Sequence, residues 1–133
     1  MDEEAISRQI VDSAIKVHTA LGCGLLEGVY EVCLAHELTI RGLCVRKQVV
    51  MPVQYKDVTL DAGYRLDLLI DEKVVVEIKA VEKMVPLHAA QLLTYLKLGR
   101  YKLGLLLNFN TIHLRDGIRR VVNWPDIQSL SRS

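Results

Sequence analysis

Asp67, Glu77 and Lys79 fall within residues 64–80, YRLDLLIDEKVVVEIKA, which reads as a β-hairpin with two carboxylates and a lysine on one face. With Asp71, Glu72 and Lys73 in the turn, Ile70 faces Val74 and the later pairs follow. One face is then apolar: Leu66 opposite Ile78, Leu68 opposite Val76, Ile70 opposite Val74. The other face sets Asp67 opposite Glu77, Leu69 opposite Val75 and Arg65 opposite Lys79. A slip of one residue would turn an apolar row onto a polar one, so the hydrophobic pattern selects the register that brings the two acids together. Directly opposed like charges cost a strand pair up to roughly 1 kcal/mol. A divalent metal would reverse that sign. A solvated outer face is the plainer account of such charges, but Leu69 and Val75 beside them imply partial burial, where an unpaired carboxylate neutralises or binds a cation.

The elements that must position these residues belong to one domain. A chain of 133 residues can bury a single core. Its composition, 50% hydrophobic and 25% charged, is that of a soluble globular protein. No apolar run approaches the roughly 18 residues that span a membrane, and the acidic, amphipathic start is unlike a signal peptide, so a cytoplasmic, membrane-free protein is expected. Cys23, Cys33 and Cys44 form no C-x-x-C pair and are read as reduced, small hydrophobic residues. The net charge of +1 is divided unevenly: residues 1–45 hold seven acids and three bases, residues 46–133 nine acids and fourteen bases. Lys97, Arg100, Lys102, Arg115, Arg119 and Arg120 could contact phosphates if the fold gathers them, although a solvated surface explains them as well.

Ile6, Ile10, Ala14, Val17 and Leu21 recur at helical spacing, predicting a helix over 3–20 stopped by Gly22 and Gly24. A second helix is predicted over 26–40, with Tyr30, Cys33, Leu34 and Leu38 inward, ending at Gly42. Residues 44–55 read as a strand that Pro52 places at an edge or bulge. The hairpin follows from about Val58, then a helix over 87–98 and an apolar strand over 103–109 buried on both faces. That helix makes a crossover, so the strands of Glu77 and of residues 103–109 should be parallel neighbours. Asp116-Gly117 signals a tight turn joining residues 111–115 to 118–122, and the polar tail from Trp124 is expected to be loosely held.

On the third helix His88, Gln91 and Tyr95 share a narrow sector beside an apolar stripe of Ala89, Leu92, Leu93 and Leu96. Gln91 and Tyr95 could reach a water or a phosphate, although spacing alone favours a core-edge tyrosine and an exposed glutamine. Glu27 opens the second helix, where an acid complements the helix dipole whether or not it has another role.

Taken in order, these residues resemble the PD-(D/E)XK nuclease superfamily, whose core is a helix, three strands, a helix and a strand. Gly24, Glu27 and Tyr30 reproduce the string of the GxxExxY family, a small bacterial group usually placed in it. Asp67 matches the metal-binding aspartate, Glu77 and Lys79 the E-x-K pair, and Gln91 with Tyr95 the Q-x-x-x-Y helix motif of the RecB-like branch. Leu66 stands where the superfamily name has proline. The resemblance implies an α/β, restriction-endonuclease-like core (αβββαβ), with an extra N-terminal helix and a C-terminal β-hairpin. It makes residues 1–133 a single nuclease-like domain, with its core about 24–123.

The activity so implied is Mg²⁺-dependent phosphodiester hydrolysis, with Mn²⁺ a substitute and DNA ahead of RNA as substrate. Asp67, Glu77, the Ile78 carbonyl and Glu27 through water would hold the metal, while Lys79, Gln91 and Tyr95 act on the water or the phosphate. Two alternatives remain at this point. One is a nucleic-acid-binding or complex-forming module with no significant catalysis; the other is a toxin-like or defence component that awaits a partner. So small a domain could also pair as a homodimer to enclose a duplex.

Overall fold

A computed structural model describes residues 1–123. The polar tail from Trp124 lies outside the described residues. Asp2 caps the first helix, α1 (Glu3–Leu21), its Oδ1 accepting from the Ala5 N–H at 2.9 Å while Glu3 and Glu4 complement the dipole. Ile6, Ile10, Ala14 and Val17 are its buried face; Leu21, expected inward, is exposed. Gly22, at φ +77°, ends α1 in a conformation that a Cβ would strain. The second helix, α2 (Glu27–Ile40), buries Tyr30, Leu34 and Leu38.

Strand β1 (Val45–Val50) begins the expected 44–55 run, but the chain leaves the sheet at Met51–Pro52, where proline cannot donate to a ladder. The remainder forms β2 (Val53–Tyr55), paired antiparallel with β3 (Val58–Leu60) in a separate two-stranded sheet. The strand expected from Val58 is thus interrupted before β4 (Arg65–Ile70), with Gly63 at φ +86° in the break. After β5 (Val74–Lys79) come α3 (Pro86–Gly99), β6 (Leu103–Asn108) and β7 (Ile118–Val122).

The main sheet runs β1-β4-β5-β6-β7. Its β5–β6 pair is parallel, as the α3 crossover requires, and the others are antiparallel. α2-β1-β4-β5-α3-β6 is therefore the expected αβββαβ core, with α1 added in front. β7 closes the sheet as the second arm of a β6–β7 hairpin. Residues 111–115 are not its first arm: Leu114–Gly117 is a 3-10 turn that buries Leu114. Gly117 allows the close approach there, since a Cβ would stand 2.3 Å from the Asn108 carbonyl oxygen.

Helices cover both faces of the sheet. Ile6, Ile10 and Val17 of α1 and Leu34 and Leu38 of α2 pack on Leu68, Ile70, Val74, Val76 and Ile78. Leu92 and Leu96 of α3 pack on Leu66, Leu69, Val75 and Leu106 opposite. Of the three cysteines, all free, Cys23 and Cys44 are exposed, so only Cys33 fills the apolar role expected. No helix among the described residues is long and apolar enough to cross a membrane.

Candidate active site

The hairpin pairs Ile70 with Val74, Leu69 with Val75 and Leu68 with Val76, the register read from the hydrophobic pattern. Beyond that point the two strands part. Side chains replace the ladder: the Asp67 N–H donates to Glu77 Oε1 at 3.3 Å, and the Ile78 N–H donates to Asp67 Oδ2 at 2.8 Å. Arg65 pairs with Val50 rather than Lys79, and Lys79 pairs with Asn108.

Leu66 departs from expectation. It is fully buried, but in the α3-side cluster, not with Leu68. The cause lies across β1, where Gln48, opposite Asp67, has φ +52°. Pairing skips the Gln48–Asp67 position, and the inward–outward alternation changes phase there: Val45 packs on the α1–α2 side, Val49 on the α3 side.

Glu77 is only 8% exposed. Its carboxyl is pushed up to about 9, first by loss of water, then by the Asp67 charge and by sharing a hydrogen bond with Asp67. Glu27 and Glu31, one turn apart on α2, are raised too, in each case by burial first and the Asp67 charge second. Lys79 and the Ala80 backbone N–H pull Glu27 the other way. Three glutamates thus feel one aspartate, two from a helix and one from the neighbouring strand.

The loop before α2 explains how Glu27 gets there. The buried Tyr30 hydroxyl donates to the Gly22 carbonyl at 2.6 Å and accepts from the Leu25 N–H at 3.1 Å, while its ring stacks on Phe109 at 4.5 Å. Gly24 takes φ +93°. Glycine turn, acid and tyrosine latch together fix where α2 starts, which is a physical account of the Gly24–Glu27–Tyr30 spacing.

From α3, Tyr95 reaches the same centre: burial, then the charge of Glu77, then Tyr64 and Asp67, raise its hydroxyl above the ordinary range. Its ring lies 6.1 Å from that of Tyr64. Gln91 is exposed and lines a groove of about 510 Å³ with Tyr64 and Tyr95; among the described residues it makes no hydrogen bond to the acids. His88 turns back to accept from the Val85 N–H at 3.3 Å and caps its own helix. Leu93 is half-buried and outside both core clusters, and Tyr95 takes its place beside Ala89, Leu92 and Leu96. The six basic residues considered together are dispersed. Lys97 and Arg100 line one groove, Lys102 and Arg120 lie beside Glu3 and Glu4, and Arg115 lines a cavity of about 470 Å³ between α1 and the loop before β7.

The family model of the PD-(D/E)XK nuclease superfamily matches residues 4–121. The chain belongs to that superfamily. No curated protein and no solved structure matches it.

Two residues of this superfamily member have no place in the sequence expectation: Glu31, although its spacing from Glu27 signals it, and Asn108, which falls inside the 103–109 run that reads as apolar. Glu31 lies four residues after Glu27, hence on the same helix face, and Gln48 Nε2 donates to its Oε1 at 2.8 Å. Asn108 ends β6 almost fully buried and grips the chain after Lys79. Its Oδ1 accepts from the Val81 N–H at 3.1 Å and its Nδ2 donates to the Val81 carbonyl at 3.0 Å.

A hard cation fits this donor set. Two carboxyl groups in contact, one of them buried and with its acidity suppressed, offer oxygen ligands, and a divalent ion would compensate the charge they carry when both are ionised. Among the described residues no three Asp, Glu, His or Cys side chains gather into a metal cluster. An ion here would rely on water, main-chain carbonyl or substrate oxygen for its remaining ligands.

Proposed function

We propose that this protein is a metal-dependent nuclease of the GxxExxY group that hydrolyses phosphodiester bonds, in DNA ahead of RNA. The observation that carries the reading is the Asp67–Glu77 contact at the point where β4 and β5 part, with Glu77 buried and its carboxyl near 9. A carboxylate pair so placed destabilises the protein unless it serves a cation.

In this reading Asp67, Glu77 and the Ile78 carbonyl hold Mg²⁺, or Mn²⁺ in its place, and Glu27 contributes through water. When bound, such an ion polarises the scissile phosphate and lowers the pKa of the attacking water. Lys79 sits two residues after Glu77, on the same side of β5, and donates from Nζ to that water or to the phosphate oxygen that gains charge. Asn108 holds the backbone that follows Lys79 and so keeps its ammonium in register. The Tyr95 hydroxyl, kept protonated by its surroundings, donates to a phosphate oxygen, and Gln91 at the groove orients water or phosphate. Residues 1–133 act as one domain, and a homodimer would supply the surface needed to enclose a duplex.

The test is incubation with linear, circular and single-stranded DNA and with RNA, in Mg²⁺, Mn²⁺ or EDTA. Metal-dependent cleavage that Glu77→Gln abolishes is expected. Absence of cleavage on every substrate with either metal would leave a nucleic-acid-binding module.

A further inference from the structure

The groove beside the acids does not end at Tyr95. It is lined by Val53 and Tyr64 and, from α3, by Leu87, Tyr95 and Leu98 beside the polar Gln91 and Thr94. Leu98 is shared with a second groove of about 440 Å³, lined by Lys56, Lys97 and Arg100 together with Gln54 and Thr59. The two meet across β2: Val53 lines the first and Gln54 the second. No acidic residue lines either groove, and among the described residues Lys56, Lys97 and Arg100 form no ion pair. Arg100 lies roughly 8 Å beyond Tyr95 along the helix axis. A chain leaving the carboxylates therefore meets first an aromatic slot, then a cationic trough.

We infer that α3 and the β2–β3 hairpin form a track for single-stranded nucleic acid, in which Tyr64 and Tyr95 hold an unpaired base next to the acids and Lys56, Lys97 and Arg100 hold the phosphates that follow. This rests on the nuclease reading and narrows its substrate. The tilted tyrosine pair offers π-faces that only an unstacked base can meet, because a duplex hides its base faces in the stack. The three cations supply the sequence-independent attraction to a phosphate backbone. An acidic peptide would satisfy the cations but leave the aromatic slot without a role.

Fluorescence anisotropy in EDTA, where no metal-dependent cleavage occurs, tests this. The probes are a short oligothymidylate, the oligouridylate of the same length, an abasic oligomer of equal charge, and a duplex, with polyglutamate as competitor. The wild type should bind the single strands at least about tenfold more tightly than duplex or abasic oligomer, the scale of one stacked base; the ratio of thymidylate to uridylate reports which sugar is preferred. Tyr64→Leu should erase the thymidylate-to-abasic difference and leave the abasic affinity unchanged. The combined Lys56→Gln, Lys97→Gln and Arg100→Gln variant should weaken both oligomers equally and reduce the salt slope by about 2, at roughly 0.7 per phosphate contact. Thermal melting confirms that these exposed substitutions leave the fold intact. Duplex binding as tight as single-strand binding, displacement by polyglutamate at equal charge, or wild-type affinity in both variants would overturn the track. If the binding pattern holds but no substrate is cleaved in Mg²⁺ or Mn²⁺, only the nuclease reading fails.

Discussion

Replacing Glu77 by glutamine should stabilise the metal-free protein at neutral pH. The glutamine amide keeps an oxygen to accept from the Asp67 N–H and has an N–H to donate to the Asp67 carboxylate, so the geometry survives without the proton that the buried carboxyl must take up on folding. The wild-type carboxyl has an ordinary value of 4.5 and a folded value of about 9. A folded value above the unfolded one means that the stability tied to this group is fully present below pH 4.5 and is lost as pH rises toward 9. With about 1.4 kcal/mol for each tenfold change in proton activity, the loss by about pH 7 reaches on the order of 3 kcal/mol as a ceiling, reduced by any local relaxation. For a domain of this size that is on the order of 10 °C in melting temperature. Glu27 and Glu31 are shifted in the same direction and remain in the variant, so a shallower pH slope should persist. Circular-dichroism melts in EDTA from about pH 5 to pH 8 are the assay. The wild type should lose stability across that range and the variant much less, the two converging at the acid end. Mg²⁺ or Mn²⁺ should raise the wild-type melt and leave the variant unmoved. A variant no more stable than wild type near pH 7, or an identical slope in both proteins, would refute the argument that the suppressed acidity of Glu77 costs the fold stability.

Lys79→Ala should lower cleavage by 100-fold or more, on the order of 3 kcal/mol of transition-state stabilisation, with calorimetric metal affinity little changed. Tyr95→Phe should lower cleavage about tenfold and cost no more than about 1–2 kcal/mol of stability. Leu92→Ala, which opens a cavity over Gly104 in the α3-side cluster, should cost about 2–5 kcal/mol in denaturant melts with cleavage per folded molecule preserved. Asn108→Ala strands the Val81 N–H and carbonyl; a loss of about 2–3 kcal/mol accompanied by a fall in kcat is expected, whereas the stability loss alone would deny it a part in holding Lys79.

The hairpin was legible because two constraints coincide in it: apolar residues alternate on both strands, and a short polar turn fixes their offset. The same alternation misplaced Leu66, since nothing in the string around Gln48 announces that this residue turns left-handed and shifts the phase of the pair. The β2–β3 sheet was hidden for a related reason. Pro52 reads as an edge or a bulge within one strand, whereas the chain leaves the main sheet there and pairs with its own next segment. At Asp116-Gly117 a local turn signal was overruled by packing. Leu114 is buried from the 3-10 turn where residues 111–115 would have formed an edge strand, and glycine is needed there for contact with Asn108. Tyr64 carried no signal at all, being a loop residue whose role depends on a helix thirty residues away.

Three departures from ordinary strand structure converge on Asp67. The ladder skips it on both sides, its neighbour across β1 adopts a conformation that non-glycine residues avoid, and its partner across β5 is a carboxylate with almost no access to water. Each departure costs stability when taken alone. They are also mutually dependent. Skipping the ladder frees the Asp67 and Ile78 N–H groups to bind carboxylate oxygens, and the turned Gln48 sends its amide to Glu31, which fixes an α2 acid near the same centre. A sheet optimised for stability would put valine at 67 and 77 and close the ladder. Local rules broken together at one spot, with the surrounding core intact, are what a functional site produces.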